Sequence, residues 1–389
     1  MGRGRLSAAT SIVGIGQTEF SKAAGRSETQ LASEAIVAAL ADAGLTIADV
    51  DGLVSFTIDP VEETELTRSV GFQDLAWSSR VPYGGGGSQG VVLHAAAAVA
   101  SGVADVVVCF RAIKARSGVR RFGSADVVNR PTSSHSGTTA AQWCSPFGVI
   151  TPASWFSLNS ARYMHEFGVT SEDFGRAVVQ LRAYAATNPN AYFYGRPITL
   201  EDHQASRWIA EPAIRLFDCC QETDGAVALV ITSAARAAHT PAPVGIAAAS
   251  GAAIFEEEVG SNHYRPDATL LDSSVALGRR LFDGAGINRS EVDVALIYDA
   301  FTPILFMQLE SLGFCGRGEA KDFIADGNLG PHGRLPCNTN GGLIGEGYIH
   351  GLNLTLEAVR QLRGSAVNQI DAVRTALVSA SRTGVVLRA

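Results

Sequence analysis

Apolar and polar positions follow one pattern twice along the chain. In "ALADAGLTIADVDGLVSFT", Ala39 to Thr57, an alanine-rich helical stretch stops at a glycine. A short polar connection then leads into an apolar strand. "RLFDGAGINRSEVDVALIYDAFT", Arg280 to Thr302, has the same order. Aligning Ala43-Gly44 with Ala285-Gly286 pairs "AGLTIADVD" with "AGINRSEVD" without a gap. A second correspondence follows each copy. "GGGGSQGVVLHAAAAVASGVADVVVC" predicts a glycine turn, a buried helix and a buried strand. "GGLIGEGYIHGLNLTLEAVRQLRG" followed by "TALVSA" predicts the same three.

Two matches in one order, in the two halves of one chain, predict a duplication. Each half is then a β/α unit with helices covering a mixed sheet. The expected halves are residues 1–240 and 241–389. The stretch from about Ala112 to Glu211 has no counterpart in the second half and reads as an insertion rich in Trp, Tyr, Phe, Ser and Pro. Such a segment lines a site, lids it or makes a subunit contact. Pseudo-twofold packing would bring the two glycine turns to a shared cleft. Helix N-termini there would offer N–H groups to a forming anion.

Composition narrows the classes. Hydrophobic residues make up 46% and charged ones 18%, which excludes disorder. Net charge is −7 with no basic block, so nucleic acid is not an expected partner. The most apolar window, "VVLHAAAAVASGVADVVVCF", is broken by His94, Gly102 and Asp105, so no membrane span is expected. The N-terminus lacks an apolar signal core. Six irregularly spaced cysteines form neither a disulfide framework nor a zinc pattern, and a cytoplasmic setting follows.

Cofactor and nucleophile motifs are missing. Gly14-x-Gly16 is followed by Glu19 where a dinucleotide fingerprint needs a third glycine. The run Gly84 to Gly90 has no P-loop lysine, and neither GxSxG nor HExxH occurs. His94 reads as a packed residue; His135, His203, His239 and His263 carry no ligand signature. Two tyrosines stand out. Tyr298 ends the strand "VDVALIYDAFT" and precedes Asp299, and strand ends carry catalytic groups in α/β proteins. Tyr348 lies in the second glycine turn, two residues before His350.

"SIVGIGQTEFSK", "DCCQETDGAVALVIT", "IYDAFTPILFMQLESLGF" and "HGRLPCNTNGGLIGEGYIHG" resemble the thiolase superfamily, and within it the sterol-carrier, lipid-transfer branch. The resemblance runs from about Ser11 to Val386. It implies the α/β thiolase fold, with duplicated βαβαβαββ halves in five αβαβα layers, as a homodimer acting on acyl-CoA thioesters. The departures are specific. The position of the family's nucleophilic cysteine falls at Gly85. Gly347-Tyr348-Ile349 stands where Gly-His-Pro is expected, and Tyr298-Asp299-Ala300-Phe301 where His-Asp-Cys-Phe is expected. Ser381 stands near the place of the second cysteine.

This combination resembles the bacterial steroid side-chain aldolases of that branch. It implies retro-aldol cleavage of 17-hydroxy-3-oxopregn-4-ene-20-carboxyl-CoA to androst-4-ene-3,17-dione and propionyl-CoA. It also implies a zinc-ribbon/OB-fold partner belonging to a steroid acyl-CoA hydratase, and no cofactor. A retro-aldol step needs a base for the hydroxyl proton, donors for the enolate and an acid for its carbon. Tyr348 is assigned as base and Tyr298 as acid, with the reverse nearly equivalent. Asp299 and His350 are expected to support them. Gly85, Gly86, Asn338, Gly341 and Gly342 are expected to bind substrate or the oxyanion, with Gly85 leaving room for the steroid-linked carbon. An unshifted phenol is ionised to about one part in a thousand at neutral pH, roughly 4 kcal/mol. The turn and helix N-terminus around Tyr348 are expected to lower that barrier. Two rival readings are a non-catalytic acyl-CoA carrier and a condensing enzyme using Cys337.

Overall fold

The computed structural model describes residues 9–82, 85–118, 144–253 and 265–389. His135 and His263 lie outside the described residues. The strands are β1 (Thr10–Gln17), β2 (Gly52–Phe56), β3 (Trp77–Val81), β4 (Val106–Lys114), β5 (Trp208–Ala210), β6 (Ile214–Arg215), β7 (Asp224–Ser233), β8 (Val244–Gly251), β9 (Val294–Ile297), β10 (Thr375–Ser379) and β11 (Thr383–Arg388). Nine of them form one sheet in the order β3-β2-β4-β7-β1-β8-β11-β10-β9.

The seam of that sheet is the short antiparallel pairing of β1 with β8, Ser11 to Gly245 and Ile12 to Val244. Outward from it, the order β1-β7-β4-β2-β3 is mirrored by β8-β11-β10-β9. An isolated parallel bridge from Ala295 to Cys337 takes the fifth place. Strand directions match too: β4 is antiparallel to β7 and parallel to β2, as β10 is to β11 and β9. The link between the helical turn Ala234–Ala237 and β8 separates the two sets.

The repeated sequence shows why each half folds alike. Helix 28–43 starts on the Ser27 hydroxyl and ends at Gly44 with φ 66°; its counterpart 272–285 ends at Gly286 with φ 64°. The last residue of each nine-residue match is an aspartate. Asp51 accepts from the N–H groups of Asp105 and Val106 at the start of β4. Asp293 accepts from those of Arg374 and Thr375 at the start of β10, at 2.8 and 2.9 Å. Each carboxylate therefore sets where the next parallel strand begins.

Strand residues alternate between two layers. In β4, Val107 and Cys109 join the central core with helices 90–101 and 352–363, while Val106, Val108 and Phe110 face helix 28–43. On the other side Ala295, Ile297, Leu377 and Val386 face helix 272–285. Five layers result, with the two glycine-turn helices in the middle. Among the described residues, no helix is long and apolar enough to cross a membrane.

The described part of the insertion holds helices 152–167, 171–187 and 200–205 and the β5–β6 hairpin. It precedes the second half in sequence but packs on it: Tyr163, Phe174 and Leu181 share a core with Leu305, Phe306 and Leu309.

Candidate active site

The two glycine turns meet at the centre of the molecule. Gln89, the N-cap of helix 90–101, donates through Nε2 to the Gly351 carbonyl at 3.2 Å and accepts at Oε1 from the Thr355 hydroxyl at 2.6 Å. Tyr298 emerges from β9 with its backbone tied on both sides. Its N–H donates to the Ser379 carbonyl at 2.8 Å, and its carbonyl accepts from Gln308 Nε2 at 2.7 Å. Tyr348 is not in the first turn of a helix. It lies in an extended bridge to Glu222, with its N–H on Thr223 Oγ1 at 2.9 Å, and helix 352–363 starts four residues later. The hydroxyls of Tyr298 and Tyr348 lie 3.0 Å apart, and each residue keeps only 7% exposure.

Gly85 sits against this pair. A Cβ at Gly85 would overlap the Tyr298 hydroxyl and its ring carbon Cζ. The space a side chain at position 85 would need is thus filled by a phenol, not kept for substrate. Gly86 offers its carbonyl to the N–H of Arg382 and the Thr383 hydroxyl, at 3.3 and 3.2 Å.

Burial pushes both phenols above the ordinary range. Tyr298 is pushed well above it by burial, with Tyr348 and Cys220 adding to the effect. Tyr348 is also raised by burial and by Cys220. The Tyr298 hydrogen bond and the Arg111 charge pull it back, and Glu222 opposes them. The expectation of a lowered Tyr348 is therefore reversed, because loss of water outweighs the local donors.

The other expected site residues form a bracket behind Tyr298. Asp299 Oδ1 accepts from the Leu343 N–H at 2.8 Å, holding the short helix 342–345 rather than aligning a phenol. Burial raises its carboxyl to about 7, offset in part by the N–H groups of Leu343 and Ile344 and by Asn338. Asn338 Oδ1 accepts from the Ile297 N–H at 2.7 Å and its Nδ2 donates to the Ile297 carbonyl at 2.8 Å. Its amide spans the Ile297 peptide and so extends the edge of β9, with Asp299 beside it. Gly342 has φ 66° and leaves space for Asp299 Oδ2, while Gly341 packs on Ala185. Cys337 is fully buried and its thiol is pushed up by that burial, which disfavours a nucleophilic thiolate.

His350 belongs to a network that the sequence reading missed. Its Nδ1 accepts from Arg111 Nε at 3.1 Å, and its ring meets that of Tyr348 edge-on at 5.0 Å between centroids. Arg111 pairs with Asp59, and both side chains are fully buried. One signal was readable: an arginine inside the apolar strand "VVVCFRAIK" has to find a buried partner. On the other flank, Phe156 of the insertion packs on Phe301 at 5.4 Å, and Cys219 and Cys220 lie beside the same core.

Comparison with known proteins agrees with this architecture. Residues 257–388 match a family described as thiolase C-terminal domain-like. The chain is 53% identical to a steroid side-chain-cleaving aldolase from Thermomonospora curvata, over 98% of this chain and 96% of that one. It is 52% identical to the 17-hydroxy-3-oxo-4-pregnene-20-carboxyl-CoA lyase of Mycobacterium tuberculosis, over 98% of both. A solved structure named Ltp2-ChsH2(DUF35) aldolase superposes with a TM-score of 0.93 at 51% identity, covering 99% of this chain and 98% of that one.

Proposed function

The chain belongs to the family of steroid side-chain-cleaving aldolases built on the thiolase fold, and from that premise we propose that it cuts 17-hydroxy-3-oxopregn-4-ene-20-carboxyl-CoA into androst-4-ene-3,17-dione and propionyl-CoA. It is a carbon–carbon lyase acting on an acyl-CoA. The observation that carries the mechanism is the pair of phenols 3.0 Å apart, one of them over the glycine that replaces a thiol.

Tyr348 takes the proton of the tertiary hydroxyl. The bond from that ring carbon to the thioester α-carbon breaks, leaving a ring ketone, and its electrons pass into the thioester enolate. Tyr298 gives its proton to the α-carbon, which releases propionyl-CoA. The proton held by Tyr348 then crosses the hydrogen bond and restores Tyr298. Roles are assigned in this direction because Arg111 favours charge on Tyr348, whereas Asp299 opposes it on Tyr298; Cys220 bears on both. The steps move only protons and the bonding pair, so no cofactor is called on.

Assembly is proposed on two grounds. Among the described residues no strand pairs with the outer edge of β3, and that edge offers backbone groups to a second copy of the chain. The similar solved aldolase carries a second component in its name, which supports a zinc-ribbon/OB-fold partner from a steroid acyl-CoA hydratase. Six free cysteines support a cytoplasmic setting.

The test is incubation of the chain, alone and with that partner, with the 17-hydroxy steroid carboxyl-CoA. Propionyl-CoA and the ring ketone should appear in equal amounts, and Tyr348→Phe should lower turnover by about a thousandfold or more while ester binding persists. Binding without cleavage in every combination would make the chain a carrier.

A further inference from the structure

A buried phenol base raises a problem of charge. Tyr348 must become negative, or nearly so, where burial opposes it. The groups facing it come from five segments besides its own turn. Tyr298 and Asp299 close the end of β9. Cys220 and Glu222 lie on the segment bridged to Tyr348, and Lys22 holds the Glu222 carbonyl through Nζ at 2.8 Å. Arg111 comes from β4 and its counterion Asp59 from the loop after β2. Cys220 and Glu222 disfavour a phenolate on Tyr348, the Tyr298 hydrogen bond favours it, and Arg111 brings a fully buried positive charge that favours it too.

The geometry gives that cation a defined route. Arg111 Nε donates to His350 Nδ1, so the neutral imidazole carries its proton on Nε2. The imidazole stands edge-on to the Tyr348 ring, and Asp59 fixes the far end of the guanidinium. His350 takes φ 52°, a backbone state that an L-residue rarely adopts, and it keeps the ring in this place. We propose that Arg111, anchored by Asp59 and linked to the site by His350, is a positioning residue whose buried charge sets how readily Tyr348 acts as the base. The inference rests on the assignment of Tyr348 given above.

Removing either member of the Arg111–Asp59 pair makes opposite changes of charge beside one phenol, and this gives the test its sign. The full chain with its partner is assayed for kcat and KM against pH. Ionisation of the base makes kcat rise with pH. Arg111→Gln removes a positive charge and should move the rising limb to higher pH. Each unit moved lowers kcat at neutral pH about tenfold. Asp59→Asn removes a negative charge and should move the limb to lower pH. KM should change little in both. A purely structural role for the pair would lower activity in both variants without opposite displacements, and that outcome overturns the inference.

Two further variants guard against misfolding. Arg111→Lys keeps the charge and should keep the limb within about one unit of wild type. The double variant Asp59→Asn with Arg111→Gln removes both charges and should lie between the singles. A third readout needs no turnover: the near-ultraviolet phenolate signal lost in Tyr348→Phe should titrate at higher pH in Arg111→Gln and lower pH in Asp59→Asn. If Tyr348→Phe turns over normally, the base assignment fails. If it is inactive but neither the limb nor the phenolate signal moves, only the Arg111 inference fails.

Discussion

The two halves share a scaffold and divide the chemistry unequally. Both have a glycine-stopped outer helix, an aspartate that starts the next parallel strand, and a central helix entered through a glycine turn. At the site the likeness ends. The second half contributes both phenols, Tyr298 from the end of β9 and Tyr348 from the turn. The first half contributes an absence and a charge: Gly85, which yields its side-chain space to Tyr298, and Arg111, buried with Asp59. A duplicated fold thus keeps its backbone bonds in pairs, whereas the residues around one reaction centre need to fit each other and not their counterparts. The loss of a side chain at 85 and the presence of a phenol at 298 are one change, because the two groups occupy the same space.

The strongest way to break this account is to restore a side chain to the first turn. Gly85→Ala puts a methyl group where the Tyr298 hydroxyl lies. It should separate the two phenols and lower kcat about a hundredfold, as misplacement of reacting groups by about an ångström does. Circular dichroism and ester binding should stay near wild type. Gly85→Cys should behave the same way and form no acyl-enzyme on incubation with acyl-CoA. Near-normal turnover in Gly85→Ala would mean that Tyr298 has other space available and that the coupling of positions 85 and 298 is illusory.

A smaller effect tests the symmetry itself. Asp51→Ala and Asp293→Ala each remove two charge-assisted hydrogen bonds at equivalent places. Each should cost roughly 1–3 kcal/mol in denaturant unfolding. Similar losses from both, with activity per folded molecule preserved, would show that the repeat is energetic as well as geometric. A large difference would show that one half carries the fold.

The repeat was legible because it is written in local signals: a glycine stop, a continuously apolar strand, an aspartate at a fixed offset. The phenols were legible because each sits at a landmark, a strand end and a glycine turn. What was not legible depends on depth and on distant pairing. The expected easing of Tyr348 ionisation failed because burial is set by the insertion and by segment 219–223, neither of which the turn sequence reveals. Asn338 and Asp299 sit beside catalytic landmarks, but Asn338 spans the Ile297 peptide and Asp299 holds the Leu343 N–H through Oδ1. The Asp59–Arg111–His350 chain joins three distant stretches, and only the arginine in an apolar strand gave notice of it.

The smallest predicted effect concerns how the insertion is fastened to the second half. Glu346 is fully buried just before Tyr348. Its Oε2 accepts from Asn340 and Asn353 at 2.5 and 2.7 Å, and its Oε1 accepts from Asn188 at the end of helix 171–187. The Tyr192 N–H donates to its backbone carbonyl at 2.8 Å. Burial raises its carboxyl to about 7, with Arg360 and the two asparagines opposing. A carboxyl raised on folding binds more protons in the native state than in the unfolded one. Its contribution to stability is therefore complete below the unfolded value of 4.5 and is lost as pH rises through about 7. Across that window the slope from this group is about 1 kcal/mol per pH unit. Glu346→Gln keeps the shape and most of the hydrogen bonds without the titration, so its stability should fall less steeply with pH than that of wild type. Equal slopes would place the proton elsewhere, on Asp299 at the end of β9, also raised to about 7, or on Glu357 of helix 352–363, which burial raises as well. Among the described residues, the carboxyls raised by burial, Asp299, Glu346 and Glu357, all lie in the half that carries the phenols, whereas Glu19, Asp49, Glu63 and Asp224 of the first half are lowered. The fall in stability as pH rises toward about 7 should therefore come from the second half, and the loss in acid should involve the first.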